Sequence, residues 1–80
     1  DKELTKTLLR EAGIRVPRGT VVRSADEAAA ALRRLPRPLA VKPLSGNHGR
    51  GCTLGVTDED GVRAAYAHAA RVDRSVLIEE

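Results

Sequence analysis

Residues 39–56, Leu-Ala-Val-Lys-Pro-Leu-Ser-Gly-Asn-His-Gly-Arg-Gly-Cys-Thr-Leu-Gly-Val, decide the fold of this chain. An apolar run carries one lysine, Lys42, into a loop with glycines at positions 46, 49 and 51, and a second β-prone run follows. Closely spaced glycines let backbone N–H groups point into one concavity, because glycine takes positive φ and lets the backbone approach a ligand closely. A phosphate group is the natural ligand of such a concavity.

The sequence after the loop indicates which kind of phosphate loop is present. The P-loop and the dinucleotide fingerprint both continue directly into a helix, whose N-terminus holds the anion. Here the loop continues into Cys52-Thr53-Leu54-Gly55-Val56, whose alternation predicts a strand, and the sequence contains no Gly-Lys-Ser/Thr. The loop is therefore predicted to join two strands as a flap over a ligand.

The rest of the chain predicts helices and strands around this hairpin. Ser24 with Glu27 forms a capping box that opens a helix, and Thr57 is predicted to cap another. The predicted elements are a helix over 1–13, a strand over 20–23, a helix over 24–35, strands over 39–44 and 52–56, a helix over about 58–72, and a strand over 76–79. The order β-α-β-β-α-β predicts an α+β fold: a mostly antiparallel four-stranded sheet with two helices on one face, plus an N-terminal helix.

Size and composition predict one small domain over 1–80. A chain of 80 residues is near the size at which a single core is only marginally sufficient. Hydrophobic residues make up 41% of it and aromatic residues 1%, so the core is predicted to contain Leu, Val, Ile and Ala. We therefore expect low stability for these residues alone, as for a piece of a longer protein. The single cysteine, Cys52, excludes an internal disulfide and fits a reducing, cytoplasmic compartment; no apolar run suggests a membrane partner.

The charge balance leaves a second class of function open. Lys and Arg number 14 against 11 Asp and Glu, and the net charge of +3 favours anionic partners without identifying one. A small basic module that binds nucleic acid or another polyanion without catalysis is therefore an alternative, and it predicts binding with a steep salt dependence. Against nucleic acid, single-strand binding usually needs aromatic stacking platforms, and Tyr66 is the only aromatic residue.

Alternation along the strands sorts their side chains onto two faces of the sheet. The side chains predicted to face the helices are Leu39, Val41, Cys52, Leu54, Val56, Val76 and Ile78. Those predicted on the opposite face are Ala40, Lys42, Leu44, Thr53, Gly55, Leu77 and Glu79. Lys42 and Glu79 then share a surface that no helix covers. Because burying an ammonium group without an anion is costly, Lys42 either reaches water or has an anionic partner, and the neighbouring loop favours the partner.

Other candidate site residues lie in the loop and on the last helix. His48 and Arg50 lie within the loop, where both side chains can reach a bound phosphate. His68 is predicted to be a surface residue, and the side chains predicted to face inward on its helix are Val62, Tyr66, Ala69 and Val72. No cysteine or histidine spacing matches a zinc centre, and the position of Cys52 against the core disfavours it as a nucleophile.

Four segments together resemble the ATP-grasp ligases. They are Asp-Lys-Glu-Leu-Thr-Lys at 1–6, Val-Pro-Arg-Gly at 16–19, the lysine and glycine loop at 41–51, and Val-Leu-Ile-Glu-Glu at 76–80. The resemblance spans the whole chain and implies the first lobe of the ATP-grasp nucleotide-binding fold. It also implies an ATP-dependent carboxylate–amine ligase that forms an acyl phosphate before the amine attacks. The Gly-Asn-His-Gly-Arg-Gly loop is most similar to that of ligases that make peptide polymers.

The resemblance further implies which residues bind ATP. In relatives, one lysine at the start of the first helix and another in the strand before the loop contact ATP, which implies these roles for Lys2 and Lys42. The loop that closes over the phosphates corresponds to Ser45, Gly46, Asn47, His48, Gly49, Arg50 and Gly51. Glu79 and Glu80 correspond to the glutamates that begin the hinge recognising adenine. The implied partners are ATP and a small-molecule or peptide carboxylate and amine, in a full-length protein that is a homo-oligomer.

Magnesium is also implied, with ligands in a second lobe beyond Glu80. The resemblance therefore implies no catalytic residue and no metal ligand within 1–80, and these residues alone are not expected to catalyse a reaction. A scaffold lobe in an inactive homologue is a third alternative, which the downstream sequence would decide.

Overall fold

The computed structural model describes residues 18–45 and 49–80. Its elements are β1 (Gly19–Val22), α1 (Ala25–Arg34), β2 (Leu39–Pro43), β3 (Thr53–Val56), α2 (Glu59–Ala70) and β4 (Val76–Glu79). The strands pair antiparallel in the order β1-β4-β2-β3, and both helices pack on one face of the sheet. The predicted α+β architecture is confirmed. The helix predicted over 1–13 lies outside the described residues.

Local hydrogen bonds begin and end α1 where the sequence predicts. The Ser24 hydroxyl accepts a hydrogen bond from the Glu27 amide at 3.1 Å, as an N-cap does. The Glu27 carboxylate reaches back and accepts from the Arg23 amide at 2.6 Å, one residue earlier than in the usual capping box. Leu35 is the C-cap, and the prolines at 36 and 38 prevent the helix from continuing.

The predicted ends of α2 need two corrections. Asp58, rather than Thr57, is the N-cap, and its carboxylate accepts a hydrogen bond from the Gly61 amide at 2.7 Å. A carboxylate there also interacts favourably with the positive end of the helix dipole. The helix ends at Ala70, so Val72 lies beyond it and is 38% exposed, contrary to its predicted inward position.

Aliphatic side chains and alanine form the core between the helices and the sheet, as the composition predicts. The sheet contributes Val22, Leu39, Val41, Val56, Val76 and Ile78, and the helices contribute Ala28, Ala29, Ala31, Leu32, Val62, Ala65 and Ala69. The many alanines let the helices approach the sheet closely, since tight packing requires small side chains where backbones come near each other. Within the described ranges, neither helix has the length and apolar character needed to cross a bilayer.

A bulge in β3 changes the faces predicted for that strand. The β2–β3 register shifts by one residue between Leu39 and Val41, so β3 holds an extra residue there. Gly55 has φ of +70°, a backbone conformation common in bulges. The shift reverses the alternation, and Leu54, predicted to face the helices, is instead 75% exposed. Thr53 pairs directly with Val41 and so lies on the helix side, opposite to its predicted face.

Candidate functional site

An ion pair joins Lys42 of β2 to Glu79 of β4 on the sheet face away from the helices. The Lys42 Nζ and the Glu79 Oε1 atoms are 2.8 Å apart. The two residues are diagonal neighbours, because Glu79 pairs with Ala40 and Lys42 pairs with Leu77 in the β2–β4 ladder. The prediction that Lys42 and Glu79 share this surface is confirmed, and Glu79 supplies an anionic partner for Lys42 from within the chain.

The two members of this pair differ in exposure. The Glu79 side chain is 12% exposed and the Lys42 side chain 41%. The hydrogen bond to Glu79 raises the pKa of Lys42; partial burial opposes this, and the charges of Glu79 and of Cys52 as a thiolate add to it. An ammonium group has three N–H donors, so Lys42 can donate to Glu79 and also to an anion arriving from solvent. Glu79 therefore holds the positively charged Lys42 side chain in place, and solvent can still reach its ammonium group.

Cys52 lies close to this pair instead of in the core. Its side chain is half-buried, and its Sγ atom is 4.0 Å from the carbonyl oxygen of Arg50. It precedes Thr53, which faces the helices, so the bulge in β3 also explains why the predicted core position of Cys52 is wrong.

Asp73 holds the first residue of the loop, a role that no sequence pattern singled out. Its Oδ2 atom accepts hydrogen bonds from the Ser45 amide at 3.1 Å and from the Ser45 hydroxyl at 2.5 Å. Its Oδ1 atom accepts from the Ser75 amide at 2.9 Å. The Leu44 amide donates to the Ser75 carbonyl at 2.9 Å, which ties the end of β2 to the start of β4. The Asp-Arg-Ser sequence is typical of an Asx turn, the one local signal that could have indicated Asp73.

These contacts lower the pKa of Asp73. The hydrogen bond from the Ser45 hydroxyl contributes most, followed by the Ser75 amide; desolvation opposes the change, and the Ser45 amide and the positive charge of Arg23 contribute less. Hydrogen bonds to a carboxylate favour its charged form. The contacts of Asp73 with Ser45 and Ser75, called here the Asp73 anchor, are therefore strongest while Asp73 is ionised.

Asp73→Asn is expected to make the stability of the protein less sensitive to acid. A carboxyl group whose pKa is lowered by folding contributes stability above its unfolded pKa of about 4, and this contribution is lost as the pH falls through the lower folded value. Thermal unfolding midpoints near neutral pH and below about pH 3 should therefore differ less in the variant than in the wild type. Asp60→Asn, which removes an exposed carboxylate from α2, is the matched control. If the wild type and Asp73→Asn lost stability equally on acidification, the ionised Asp73 carboxylate would contribute nothing to stability, contrary to the structure.

The other end of the loop is a tight turn that rests on the end of α2. The Cys52 amide donates to the Gly49 carbonyl at 3.3 Å, and Gly51 has φ of +76°. A positive φ at the third residue is what a type II turn requires. Gly51 is buried, and Val72 is one of the residues against it. The loop is therefore fixed at both ends, at Ser45 and at Gly51.

Glu80 is directed away from Glu79. Its carboxylate accepts a hydrogen bond from the Arg18 amide at 3.1 Å, and its Oε1 is 3.6 Å from the Arg18 Nε. The Glu80 amide donates to the Arg18 carbonyl at 3.0 Å. The two glutamates thus serve different neighbours: Glu79 contacts Lys42, and Glu80 contacts the residue before β1.

Arg50 lies on the helix side of the loop. With His68 and Arg71 from the end of α2, it lines a surface pocket, while Lys42 lies on the opposite face of the sheet. His68 is exposed, as predicted. Contact between Arg50 and a nucleotide phosphate stays a prediction.

The structure thus brings together some of the predicted site residues. Lys42 contacts Glu79, and Ser45, Gly49 and Gly51 lie at the two fixed ends of the loop. Four predicted residues lie outside the described part of the chain: Lys2, Gly46, Asn47 and His48. Among residues 18–45 and 49–80, no group of three or more His, Cys, Asp or Glu is placed to hold a metal ion, so these residues do not fit a magnesium site.

Comparison with known proteins gives a family and several relatives. The family described as carbamoyl-phosphate synthase L chain, ATP binding domain, matches residues 1–80. The cyanophycin synthetase of Geminocystis herdmanii (strain PCC 6308) is 51% identical over 82 residues, which cover 99% of this chain and 9% of that protein. The D-alanine–D-alanine ligase of Sodalis glossinidius (strain morsitans) is 42% identical over 84 residues, covering 100% of this chain and 23% of that ligase. The crystal structure of a bifunctional glutathione synthetase from Pasteurella multocida matches with a TM-score of 0.71 and 33% identity, covering 99% of this chain and 11% of that one.

The chain spans less than a quarter of the length of each of these three proteins. Their names describe three different products. The similarity therefore identifies the kind of domain that this chain forms, and it does not identify the substrate of the full-length protein. The alternative of a nucleic-acid-binding module without catalysis finds no support among them.

Proposed function

Because the chain belongs to the ATP-grasp proteins, in the family of the carbamoyl-phosphate synthase L chain ATP-binding domain, we propose that it is the first, ATP-binding lobe of an ATP-dependent carboxylate–amine ligase. The full-length protein activates a carboxylate as an acyl phosphate, which an amine then attacks. The identity with cyanophycin synthetase supports a peptide-polymer ligase over the other ligases. The observation that carries the proposal is the Lys42–Glu79 pair on the open face of the sheet, beside the glycine loop.

Lys42 is suited to hold a phosphate of the nucleotide. Its ammonium group is protonated at neutral pH, as that of an ordinary lysine is, and the hydrogen bond to Glu79 favours the charged form further by raising its pKa. Its position is fixed by the same contact, so little side-chain freedom is lost when a phosphate binds. Charged N–H to phosphate-oxygen hydrogen bonds are among the stronger ones in proteins, and a half-exposed ammonium can form them without first being uncovered.

The loop between Ser45 and Gly51 is suited to close over the phosphates. Asp73 holds the Ser45 end of this loop, and the end of α2 contacts its Gly51 end. Glycine backbone can present N–H groups to phosphate oxygens at short range. We assign Gly46, Asn47, His48 and Arg50 to this contact, and Lys2 to a second contact with ATP.

The remaining assignments come from the family. Glu79 and Glu80 begin the hinge that recognises adenine, with the Glu80 carboxylate holding Arg18 in this structure. Magnesium accompanies ATP, and from the family resemblance we assign its ligands to a second lobe beyond Glu80. The full-length protein is a cytoplasmic homo-oligomer that takes a small-molecule or peptide carboxylate and an amine.

Trapping with hydroxylamine tests the proposed reaction. The full-length protein, given ATP, hydroxylamine and a panel of amino acids and short peptides, is expected to release ADP and form a hydroxamate with the true substrate. Hydroxylamine attacks the acyl phosphate, and phosphate leaves. Release of AMP in place of ADP would indicate an acyl adenylate and contradict the proposal, as would ADP release with no hydroxamate from any carboxylate. Omitting the carboxylate is the control, which should yield no hydroxamate.

A further inference from the structure

The strand that carries Lys42 stays attached to β4 beyond its own last residue. After the end of β2, the Leu44 amide donates to the Ser75 carbonyl at 2.9 Å. The next amide, that of Ser45, donates to the Asp73 carboxylate at 3.1 Å. A side chain thus takes over as the hydrogen-bond acceptor where the ladder between β2 and β4 ends. Ser45 is therefore held at the point where the strand passes into the glycine loop.

Both hydrogen-bond donors of Ser45 are used by Asp73. The amide and the hydroxyl of Ser45 donate to the same Oδ2 atom of Asp73, at 3.1 Å and 2.5 Å. An ionised phosphate group offers only acceptor oxygens, so it needs a donor from the protein. In this arrangement Ser45 has no donor left for a phosphate, and binding one would first require breaking a contact with Asp73.

A phosphate at Ser45 would also meet an unfavourable charge. The hydrogen bonds that Asp73 accepts lower its pKa, so its carboxylate is ionised at neutral pH. A phosphate oxygen bound to the Ser45 hydroxyl would lie next to this carboxylate, and like charges at short range repel each other. The arrangement therefore favours Ser45 as a support for the start of the loop over Ser45 as a phosphate ligand.

Asp73 is itself fixed between α2 and β4. Its amide donates to the carbonyl of Ala69, in the last turn of α2, at 3.1 Å. Its Oδ1 atom accepts from the Ser75 amide at 2.9 Å, while its Oδ2 atom holds Ser45. Because these contacts already order Asp73, holding Ser45 costs little further side-chain entropy.

We propose that Asp73 is a positioning residue for nucleotide binding, which acts through Ser45 by holding the end of the Lys42 strand and the start of the glycine loop. This inference rests on the function proposed above. Ser45 is then an anchoring residue that donates to no phosphate, and Asp73 does not touch the nucleotide. Backbone that is held in place before the ligand arrives loses less entropy on binding, so the contact strengthens the binding of ATP.

A double-mutant cycle in the full-length protein tests this role. Calorimetry with magnesium and a non-hydrolysable ATP analogue, well below the unfolding midpoint of each variant, measures affinity. Asp73→Asn leaves one oxygen acceptor where aspartate uses two, and Ser45→Ala removes the hydroxyl. Each is expected to weaken binding about 3- to 10-fold, as the loss of one hydrogen bond does. Because both remove the same contact, the loss in the double variant should be smaller than the product of the two single losses.

Two further variants separate the contact from charge and from general damage. Ser45→Thr keeps the hydroxyl and should bind the analogue more tightly than Ser45→Ala does. Asp60→Asn removes an exposed carboxylate from α2 and should leave affinity nearly unchanged. Removing a negative charge would by itself tighten the binding of an anion, so weaker binding by Asp73→Asn reports the lost contact.

The outcomes distinguish this inference from the function on which it rests. Unchanged or tighter binding by Asp73→Asn, in a protein whose binding still depends on Lys42, would overturn the role of Asp73 alone. A loss in the double variant equal to the product of the single losses would show that Ser45 acts independently of Asp73, as a phosphate ligand would, and would overturn it too. Failure of the wild type to bind the analogue would contradict the proposed function, and this inference with it.

Discussion

Lys42→Met in the full-length protein is expected to weaken ATP affinity by roughly 10- to 100-fold, because a hydrogen bond from a charged donor contributes about 1.5–3 kcal/mol. Methionine keeps most of the length of the side chain and removes the ammonium group. The Lys42 side chain takes no part in the core, but the substitution also removes the ammonium contact of the Glu79 carboxylate, whose side chain is only 12% exposed, so the thermal unfolding midpoint of the variant should be measured beside its affinity. Calorimetry with magnesium and a non-hydrolysable ATP analogue would measure the change.

Two further variants make this result specific. Lys42→Arg keeps the positive charge and should retain more affinity than Lys42→Met, although a planar guanidinium does not reproduce the geometry of an ammonium group. Arg74→Gln removes a positive charge from elsewhere on the surface and should leave ATP affinity nearly unchanged. If Lys42→Met bound ATP as tightly as the wild type does, the assignment of this lysine to the nucleotide would be wrong.

Gly51→Ala is expected to destabilise the protein by about 2–5 kcal/mol, from two costs that add. A non-glycine residue at φ of +76° costs about 1–2 kcal/mol. A Cβ atom would also lie 3.0 Å from the Val72 Cγ2 atom, 3.3 Å from the Ala69 Cα atom and 3.3 Å from the Pro43 Cγ atom. Overpacking of this kind costs about 1–3 kcal/mol, and the helix backbone cannot move aside as a flexible side chain can. Urea unfolding of the full-length protein would measure the loss.

Two other glycines separate the backbone cost from the packing cost. Gly49 and Gly55 have φ of +77° and +70°, and a Cβ atom on either would meet nothing within 4 Å. Gly49→Ala and Gly55→Ala should therefore carry only the backbone cost of about 1–2 kcal/mol. If all three substitutions destabilised the protein equally, the close seating of Gly51 on α2 would contribute nothing.

Local sequence signals predicted most of the fold. The Ser24 cap, the prolines after α1 and the alternation in β2 each depend on neighbouring residues only, and the structure shows them as expected. In β4 the pairing follows the same period of two, although Leu77, predicted on the open face, is buried. The same alternation placed Lys42 and Glu79 on one face before any pairing was known. This worked because both strands are regular, so that their period of two holds from end to end.

Three features depended on information that the local pattern does not carry. Thr-Leu-Gly-Val alternates like a regular strand, and only the positive φ of Gly55 shows that the pairing slips by one residue. Thr57 and Asp58 are both good N-caps, and the choice between them is made by which side chain reaches the Gly61 amide. Asp73 contacts Ser45 across 28 positions of sequence, a distance at which no spacing rule applies.

The same irregularity in β3 bears on how the folded chain avoids aggregation. β3 is the last strand in the order β1-β4-β2-β3, so, among the described residues, its outer side has no strand beside it. A flat, regular edge strand is a template onto which another molecule can add a strand of its own, and natural proteins often place a bulge there to twist the edge out of register. The bulge at Gly55 has this effect, and it lies in an edge strand that carries the exposed side chain of Leu54.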